Sequence, residues 1–148
     1  MTTTDAARLV TIRCPRCQTR NRVDLARLAK GPRCAKCQTP IRLDHPVHVS
    51  AADLEELIRS APVTMVVDFY ADWCGPCRAI APSLETLAAR HSGQVLVLKL
   101  DTDRYPELAA RFGIRGIPTL IAFAGGREVK RQVGMAELPA LEALAAAR

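Results

Sequence analysis

Residues 63–78 read VTMVVDFYADWCGPCR, and this stretch combines a buried strand with a reactive pair of cysteines. The apolar run Val63–Tyr70 is rich in β-branched residues, which predicts a strand. Cys74 follows this strand at the start of a predicted helix, where unpaired backbone N–H groups and the helix dipole stabilise a thiolate. Cys77 lies one helical turn further on and is placed to attack a mixed disulfide formed by Cys74. We therefore interpret the pair as a dithiol that cycles with a disulfide.

The sequence around this stretch alternates between strand and helix patterns. A Gly125-Gly126 pair predicts a hairpin turn between the last two strands. The order βαβαβαββα predicts a three-layer α/β domain whose mixed sheet is parallel in its first part. The predicted strands are 47–49, 63–70, 95–100, 119–124 and 128–133. The predicted helices are 50–60, which Ser50 or Asp53 can cap, 77–90, 105–111 and 136–147.

Two further Cys-x-x-Cys pairs lie in the first 45 residues, in surroundings that repeat. Arg13–Asp24 aligns with Arg33–Asp44 at an offset of 20 residues, with seven of twelve positions identical. Each copy predicts a tight turn followed by a short strand, at 22–23 and at 41–43. Two such turns, 16 residues apart, match the pattern of a tetrahedral zinc site. Four thiolates fill the coordination of the ion, so we predict one structural zinc. Its predicted ligands are Cys14, Cys17, Cys34 and Cys37.

Zinc would also supply folding free energy to this segment. All six aromatic residues of the chain lie after residue 68, and about 45 residues without an aromatic core need a metal, disulfides or a partner to fold. Disulfides among the four cysteines are an alternative in an oxidising compartment. Iron is an alternative occupant, although neither turn has the glycine after its second cysteine that rubredoxin-like loops favour.

The charge of the chain is concentrated in its first third. Residues 1–48 carry ten basic and three acidic residues, whereas residues 49–148 carry eleven basic and twelve acidic ones. Basic zinc ribbons can bind nucleic acid, but the segment has no aromatic residue on which bases could stack. We therefore expect a solvated basic surface and no nucleic-acid partner. His45 and His48, on either side of Pro46, are interpreted as ordinary linker residues.

The sequence also predicts the cellular compartment of the protein and the limits of its domains. Residues 1–8 lack the apolar segment of a secretory signal, and the run at 63–67 is too short to span a bilayer. We therefore predict a cytoplasmic protein without a membrane partner. The predicted domains are a zinc ribbon over residues 1–45 and an α/β domain over residues 46–148.

Residues 67–78 (VDFYADWCGPCR) and 112–119 (FGIRGIPT) resemble the thioredoxin family, and the resemblance extends over residues 50–148. With the ribbon in front, the chain resembles the zinc-containing bacterial thioredoxins. The resemblance implies the thioredoxin fold, a three-layer α/β/α arrangement around a mixed five-stranded sheet. It also implies reduction of protein disulfides. The Gly-Pro dipeptide between the cysteines favours a reductant over the oxidase and isomerase relatives.

The resemblance also implies roles for individual residues. Cys74 would be the nucleophile and Cys77 the resolving cysteine. Asp68 matches a buried aspartate behind the second cysteine, and Lys99 matches a lysine beside it. The sequence supports this role independently, because a lone carboxyl group in an apolar strand is desolvated, which suits a proton acceptor near neutral pH. Pro118 would be a cis-proline facing the dithiol. The residues expected to contact substrate are Trp73, Gly75, Pro76, Ile117, Pro118 and Gly134.

One position departs from the family pattern, since Tyr70 stands where many thioredoxins have tryptophan.

The implied partners are disulfide-bonded proteins and a flavin-dependent thioredoxin reductase that uses NADPH. We expect a monomer without an organic cofactor. A second hypothesis is a zinc-dependent binding or chaperone module that uses the second domain as a scaffold. A third is redox sensing, in which oxidation of the ribbon thiolates ejects zinc.

Overall fold

The computed structural model describes residues 8–148, and the elements after residue 46 follow the alternation predicted from the sequence. Residues 1–7, which carry most of the stretch examined for a secretory signal, lie outside the described part. The strands are β1 (Leu9–Arg13), β2 (Arg20–Asp24), β3 (Val47–His48), β4 (Thr64–Tyr70), β5 (Val95–Asp101), β6 (Thr119–Ala124) and β7 (Arg127–Val133). The helices are α1 (Ala51–Ser60), α2 (Gly75–Arg90), α3 (Pro106–Arg111) and α4 (Leu138–Ala145), and a 3₁₀ helix spans Leu25–Lys30.

Five strands form the main sheet in the order β3-β5-β4-β6-β7. The first three strands of that order are mutually parallel, whereas β6 and β7 are antiparallel to their neighbours. This arrangement confirms the predicted mixed sheet with a parallel first part and a final hairpin. It also places β4 at the centre, which explains its continuous apolar sequence, since a central strand is covered on both faces. All seven residues of β4 are buried.

Helices cover the sheet on both faces and complete the three layers. On one face, α1 and α3 pack on side chains that include Val67 and Phe69 of β4. On the other face, α2 and α4 pack on Val66 and its neighbours. Because side chains alternate along a strand, Asp68 and Tyr70 lie on the same face as Val66, under α2. This register places the carboxyl group of Asp68 on the α2 side of the sheet.

The first part of the ribbon is a hairpin of β1 and β2, in which Arg13 pairs with Arg20. Within the described residues, the predicted strand at 41–43 does not form, and the second repeat has only a single bridge between Arg33 and Pro40. That prediction is wrong because the two copies differ where pairing matters. Proline replaces Ile12 in the second copy, and Pro32 accepts a hydrogen bond from the N–H of Ile41 at 2.9 Å but has no N–H to return one. The strand before Cys14 was not predicted.

The ribbon packs against the α1 face of the sheet. Its apolar residues share one buried cluster with Leu54 and Leu57 of α1, and Arg13 binds Asp53 at 2.7 Å. Its 3₁₀ helix approaches the turn before β5 closely, because a Cβ added to Gly93 would lie 3.0 Å from a backbone oxygen of Leu25. Packing therefore supplies a core that the ribbon lacks by itself. The ribbon residues in this cluster include Val10, Ile12, Val23, Ile41 and Leu43.

Candidate active site and metal centre

The dithiol lies where β4 passes into α2. Cys74 is the N-cap residue of α2, and the backbone N–H of Cys77 donates to its sulfur at 3.2 Å. The two sulfurs are joined as a disulfide, and both residues are almost fully buried. The helix begins at Gly75, two residues before the predicted start, because Pro76 has the backbone conformation that a first helical turn needs. The helix N-terminus is therefore aimed at the sulfur of Cys74.

The loop before β6 lies against this pair. The Ile117–Pro118 peptide is cis, and the carbonyl oxygen of Ile117 lies 3.8 Å from Cys74 Sγ. The backbone N–H of Gly134 donates to the carbonyl oxygen of Pro118 at 2.8 Å, which brings the end of β7 beside the same loop. The structure thus brings together three residues that the sequence analysis assigned to the substrate side.

Apolar side chains that face solvent surround these loops. Trp73, next to Cys74, is 67% exposed, and its indole N–H donates to Asp103 at 2.8 Å. Val133 and Met135, on either side of Gly134, are 61% and 50% exposed. Sequence analysis did not identify these two residues. The sequence feature that could have identified them is a pair of apolar residues flanking Gly134 at the end of an otherwise polar edge strand.

Asp68 is fully buried, and within residues 8–148 neither of its carboxylate oxygens accepts a hydrogen bond. Burial raises its pKa to about 6, although the charge of Lys99 opposes the rise. The ammonium group of Lys99 lies 3.7 Å from the carboxylate, since the two residues are direct partners in the β4–β5 ladder. A carboxyl group with this pKa can exchange a proton near neutral pH.

Lys99 also contacts the residue that departs from the family pattern. Its nitrogen lies 4.5 Å from the centre of the Tyr70 ring, and the Tyr70 hydroxyl is 3.1 Å from Nδ1 of His48. His48 belongs to β3 and is engaged through its side chain, so interpreting it as an ordinary linker residue is wrong. His45 likewise contacts Glu85 of α2, at 2.6 Å.

The four ribbon cysteines converge on one point. Their sulfur atoms all lie within 4.8 Å of one another, with 3.5 Å between Cys14 and Cys37 and 3.6 Å between Cys17 and Cys34. A zinc ion with four thiolates at about 2.3 Å would hold its sulfurs about 3.8 Å apart. The donor set and its spacing therefore fit tetrahedral zinc.

The two halves of this cluster share one backbone design. In each turn the N–H of the first cysteine donates to a threonine carbonyl at 2.8 Å, and the glutamine after the second cysteine is left-handed, with φ of 65° at Gln18 and 67° at Gln38. Glutamine therefore adopts here the conformation for which glycine is commonly used. Hydroxyl groups of Thr19 and Thr39 lie 3.1 Å from the nearest cysteine sulfurs.

Backbone N–H groups also point at these sulfurs, as they do at Cys74. The N–H groups of Arg16 and Lys36 lie 3.4 Å from the sulfurs of Cys14 and Cys34. The pKa of Cys34 is lowered to about 6, chiefly by the hydrogen bond from the N–H of Cys37. Burial acts in the opposite direction, but further hydrogen bonds to the sulfur outweigh it. This favours the thiolate, which is the form that binds a metal ion.

Comparison with known proteins matches two parts of the chain to two family models. The family model described as thioredoxin matches residues 45–147. The chain belongs to the thioredoxin family. A second model, described as the N-terminal part of thioredoxin 2, matches residues 13–39 and includes all four ribbon cysteines. The protein is therefore a dithiol–disulfide oxidoreductase that reduces protein disulfides, with a zinc-ribbon segment in front of its thioredoxin fold.

The similar proteins are themselves thioredoxins. Thioredoxin 1 of Chlorobaculum tepidum is 44% identical over 84 residues, which cover 57% of this chain and 83% of that protein. Thioredoxin of Alicyclobacillus acidocaldarius is 52% identical over 79 residues, covering 53% and 75% respectively. A solved mutant thioredoxin of Halobacterium salinarum superposes with a TM-score of 0.64 at 38% identity, covering 71% of this chain and 91% of that one.

Proposed function

We propose that Cys74 is the nucleophile of this thioredoxin and Cys77 its resolving cysteine. In the reduced protein, the Cys74 thiolate attacks one sulfur of a substrate disulfide and releases the other sulfur as a thiolate. Cys77 then loses its proton and attacks Cys74, which releases the second substrate thiolate and forms the Cys74–Cys77 disulfide. The position of Cys74 at the N-cap of α2, with the Cys77 N–H directed at its sulfur, is the observation that carries this assignment.

Asp68 is the proposed acceptor for the Cys77 proton. Its burial supports this role, because a pKa of about 6 lets the carboxylate accept a proton near neutral pH and release it again. Lys99, 3.7 Å away, would moderate the cost of the buried negative charge. The pair would thus set the pH range in which the second step is fast.

The surface around the disulfide is the proposed substrate site. Ile117 and Pro118 would present backbone to an extended substrate segment, and Trp73 and Gly134 would line its sides. Exposed Val133 and Met135 extend this surface with apolar area, which suits binding of disulfide-containing segments of varied sequence. Gly75 and Pro76 would keep the ring between the cysteines short and stiff.

The ribbon cysteines are the proposed ligands of one structural zinc ion. Four thiolates leave no open position on the ion, so its contribution is to the folding of residues 1–45 and not to the reaction at residues 46–148.

Among the described residues, no helix is both long and apolar enough to cross a membrane. We further propose a cytoplasmic monomer that is reduced by a flavin-dependent thioredoxin reductase with NADPH.

A coupled assay tests these assignments together. Consumption of NADPH is measured with a thioredoxin reductase and a disulfide-bonded protein, before and after removal of zinc. We expect turnover in both cases and loss of at least about a thousandfold in Cys74→Ser, since the nucleophile is removed. Turnover that survives in Cys74→Ser overturns the mechanism. Loss of turnover on zinc removal alone overturns the purely structural role of the metal.

A further inference from the structure

A line of polar contacts leads from Asp68 to the edge of the sheet. The Lys99 ammonium lies between the Asp68 carboxylate, at 3.7 Å, and the face of the Tyr70 ring, at 4.5 Å from its centre. The Tyr70 hydroxyl then lies 3.1 Å from Nδ1 of His48, and the two rings meet edge to face. The function described above uses Asp68 and Lys99 but gives no role to Tyr70 or His48.

The strand registers place these groups on one face of the sheet. His48 pairs with Lys99 across β3 and β5, and Lys99 pairs with Asp68 across β5 and β4. Tyr70 lies two residues after Asp68 and therefore on the same face. The contacts thus follow from backbone pairing and from alternation of side chains, and they do not depend on a flexible loop.

Tyr70 is well suited to hold Lys99 in place. Only 8% of the residue is exposed, and burial, with help from Asp101 and other acidic neighbours, raises its pKa to about 12. The hydroxyl is therefore protonated at neutral pH. With the tautomer of neutral His48 that carries its hydrogen on Nε2, the hydroxyl donates to Nδ1. This bond fixes the plane of the ring, and the face of the ring fixes the cation.

His48 itself faces a cleft of about 590 Å³ between the ribbon and the edge of the sheet, and the residue is exposed there. Partial desolvation of the imidazole, with the charge of Lys99 second, lowers its pKa and so favours the neutral ring. A pH titration of this site also responds to the other titratable and charged groups that face His48. These are Lys99 and Asp101 of β5, Asp72 after β4, Arg104 of the next loop, Asp53 of α1, and Arg13, Arg42 and His45 across the cleft.

We propose that His48 is a positioning residue, which acts through Tyr70 to hold Lys99 beside Asp68 and so tunes when that carboxyl group takes and releases its proton. The proposal rests on the function assigned above to Asp68. Loss of the His48 acceptor frees the Tyr70 ring, so Lys99 spends less time near the carboxylate. Because Lys99 stabilises the charged form of Asp68, the carboxyl group then binds its proton more tightly.

The test follows the carboxyl carbon of Asp68 by NMR during a pH titration of the oxidised protein, in which Cys74 and Cys77 carry no titrating thiol. The Asp68→Asn variant assigns the signal. In His48→Leu we expect the midpoint to rise by about half a pH unit, the size of one partly exposed cation–π contact. In His48→Asn, which is uncharged but keeps an acceptor, we expect the midpoint of the unmodified protein.

A second variant separates positioning from a general effect of charge or folding. Tyr70→Phe keeps the ring but removes the hydroxyl, so it should shift the midpoint as His48→Leu does, and the double variant should shift it no further. An unchanged midpoint in His48→Leu, an equal shift in His48→Asn, or additive shifts in the double variant each overturn the proposal. The titration does not depend on catalysis, so a wrong role for Asp68 appears separately, as unaltered kinetics in Asp68→Asn.

Discussion

The pairs Cys14–Cys17 and Cys74–Cys77 have the same spacing but different backbones, and the difference decides their chemistry. After Cys17 the chain turns through a left-handed Gln18 and leaves as a strand, so both sulfurs point towards the second ribbon pair. After Cys77 the chain continues as α2, so the two sulfurs of that pair face each other and bond. In both cases backbone N–H groups point at the first sulfur.

A shared donor arrangement thus serves two purposes. N–H groups directed at sulfur favour a thiolate, which is equally the form that binds metal and the form that attacks a disulfide. At Cys14 the N–H of Cys17 acts in this direction, but burial and the thiols of Cys37 and Cys17 outweigh it and raise the pKa. Which of these occurs depends on whether two more thiolates lie within reach. In the ribbon the repeat supplies them, whereas at Cys74 the facing group is the carbonyl oxygen of Ile117, 3.8 Å from the sulfur.

Replacing Cys77 should produce the largest effect and test the comparison most directly. In Cys77→Ser the first attack still occurs but the mixed disulfide cannot be resolved, so turnover should fall by several orders of magnitude. The measurement is reduction of a disulfide-bonded protein, together with detection of the trapped covalent complex by mass. The matched control is Cys37→Ser, the second cysteine of a ribbon pair, which should keep its turnover. Equal losses in the two variants would mean that the pairs are not functionally distinct.

Replacing Cys34 should have the next largest effect, confined to the ribbon. Zinc content, measured on the purified protein, should fall from one ion per chain to none, because binding by the remaining thiolates loses much of the roughly 10–16 kcal/mol typical of structural zinc. Amide protection in β1 and β2 should fall with it. Turnover at the dithiol should change by less than about twofold. Retention of one tightly held ion in Cys34→Ser contradicts the assignment of four ligands.

Replacing Asp68 should give a smaller effect, seen in how the free energy of unfolding depends on pH. This dependence belongs to the dithiol region and not to the ribbon. Its pKa is raised by burial from 3.8 to about 6, so its contribution to stability is present below about pH 4 and is lost as the pH rises through 6. Asp68→Asn removes this loss. The variant should gain up to about 3 kcal/mol in the free energy of unfolding at pH 8 and little at pH 4. Urea unfolding of the oxidised protein at both pH values measures the difference.

Glu107→Gln, at an exposed carboxyl of α3, is the control for that experiment and should leave the pH dependence unchanged. If Asp68→Asn and Glu107→Gln give the same pH dependence, Asp68 does not titrate as its burial implies.

Much of the main domain could be predicted from local patterns. The apolar run of β4 and the Gly125-Gly126 turn are signals contained in a few adjacent residues, and the elements built on them are confirmed. The second half of the ribbon was harder. Similarity between the repeats suggested two equal strands, but the second copy has Pro32 in place of Ile12. Pro32 cannot return the hydrogen bond that its carbonyl accepts from Ile41, so the strand at 41–43 was wrongly predicted.

The sequence by itself determined which groups are chemically active. The spacing of the six cysteines, the lone carboxyl of Asp68 in an apolar strand and the Ile117-Pro118 dipeptide can all be read from residues close together in the chain. Only the tertiary structure decided what lies around them. His48, Tyr70 and Lys99 come from three strands, and they meet because β3 and β4 pair with opposite edges of β5. Strand order depends on packing of the whole sheet, and no local pattern encodes it.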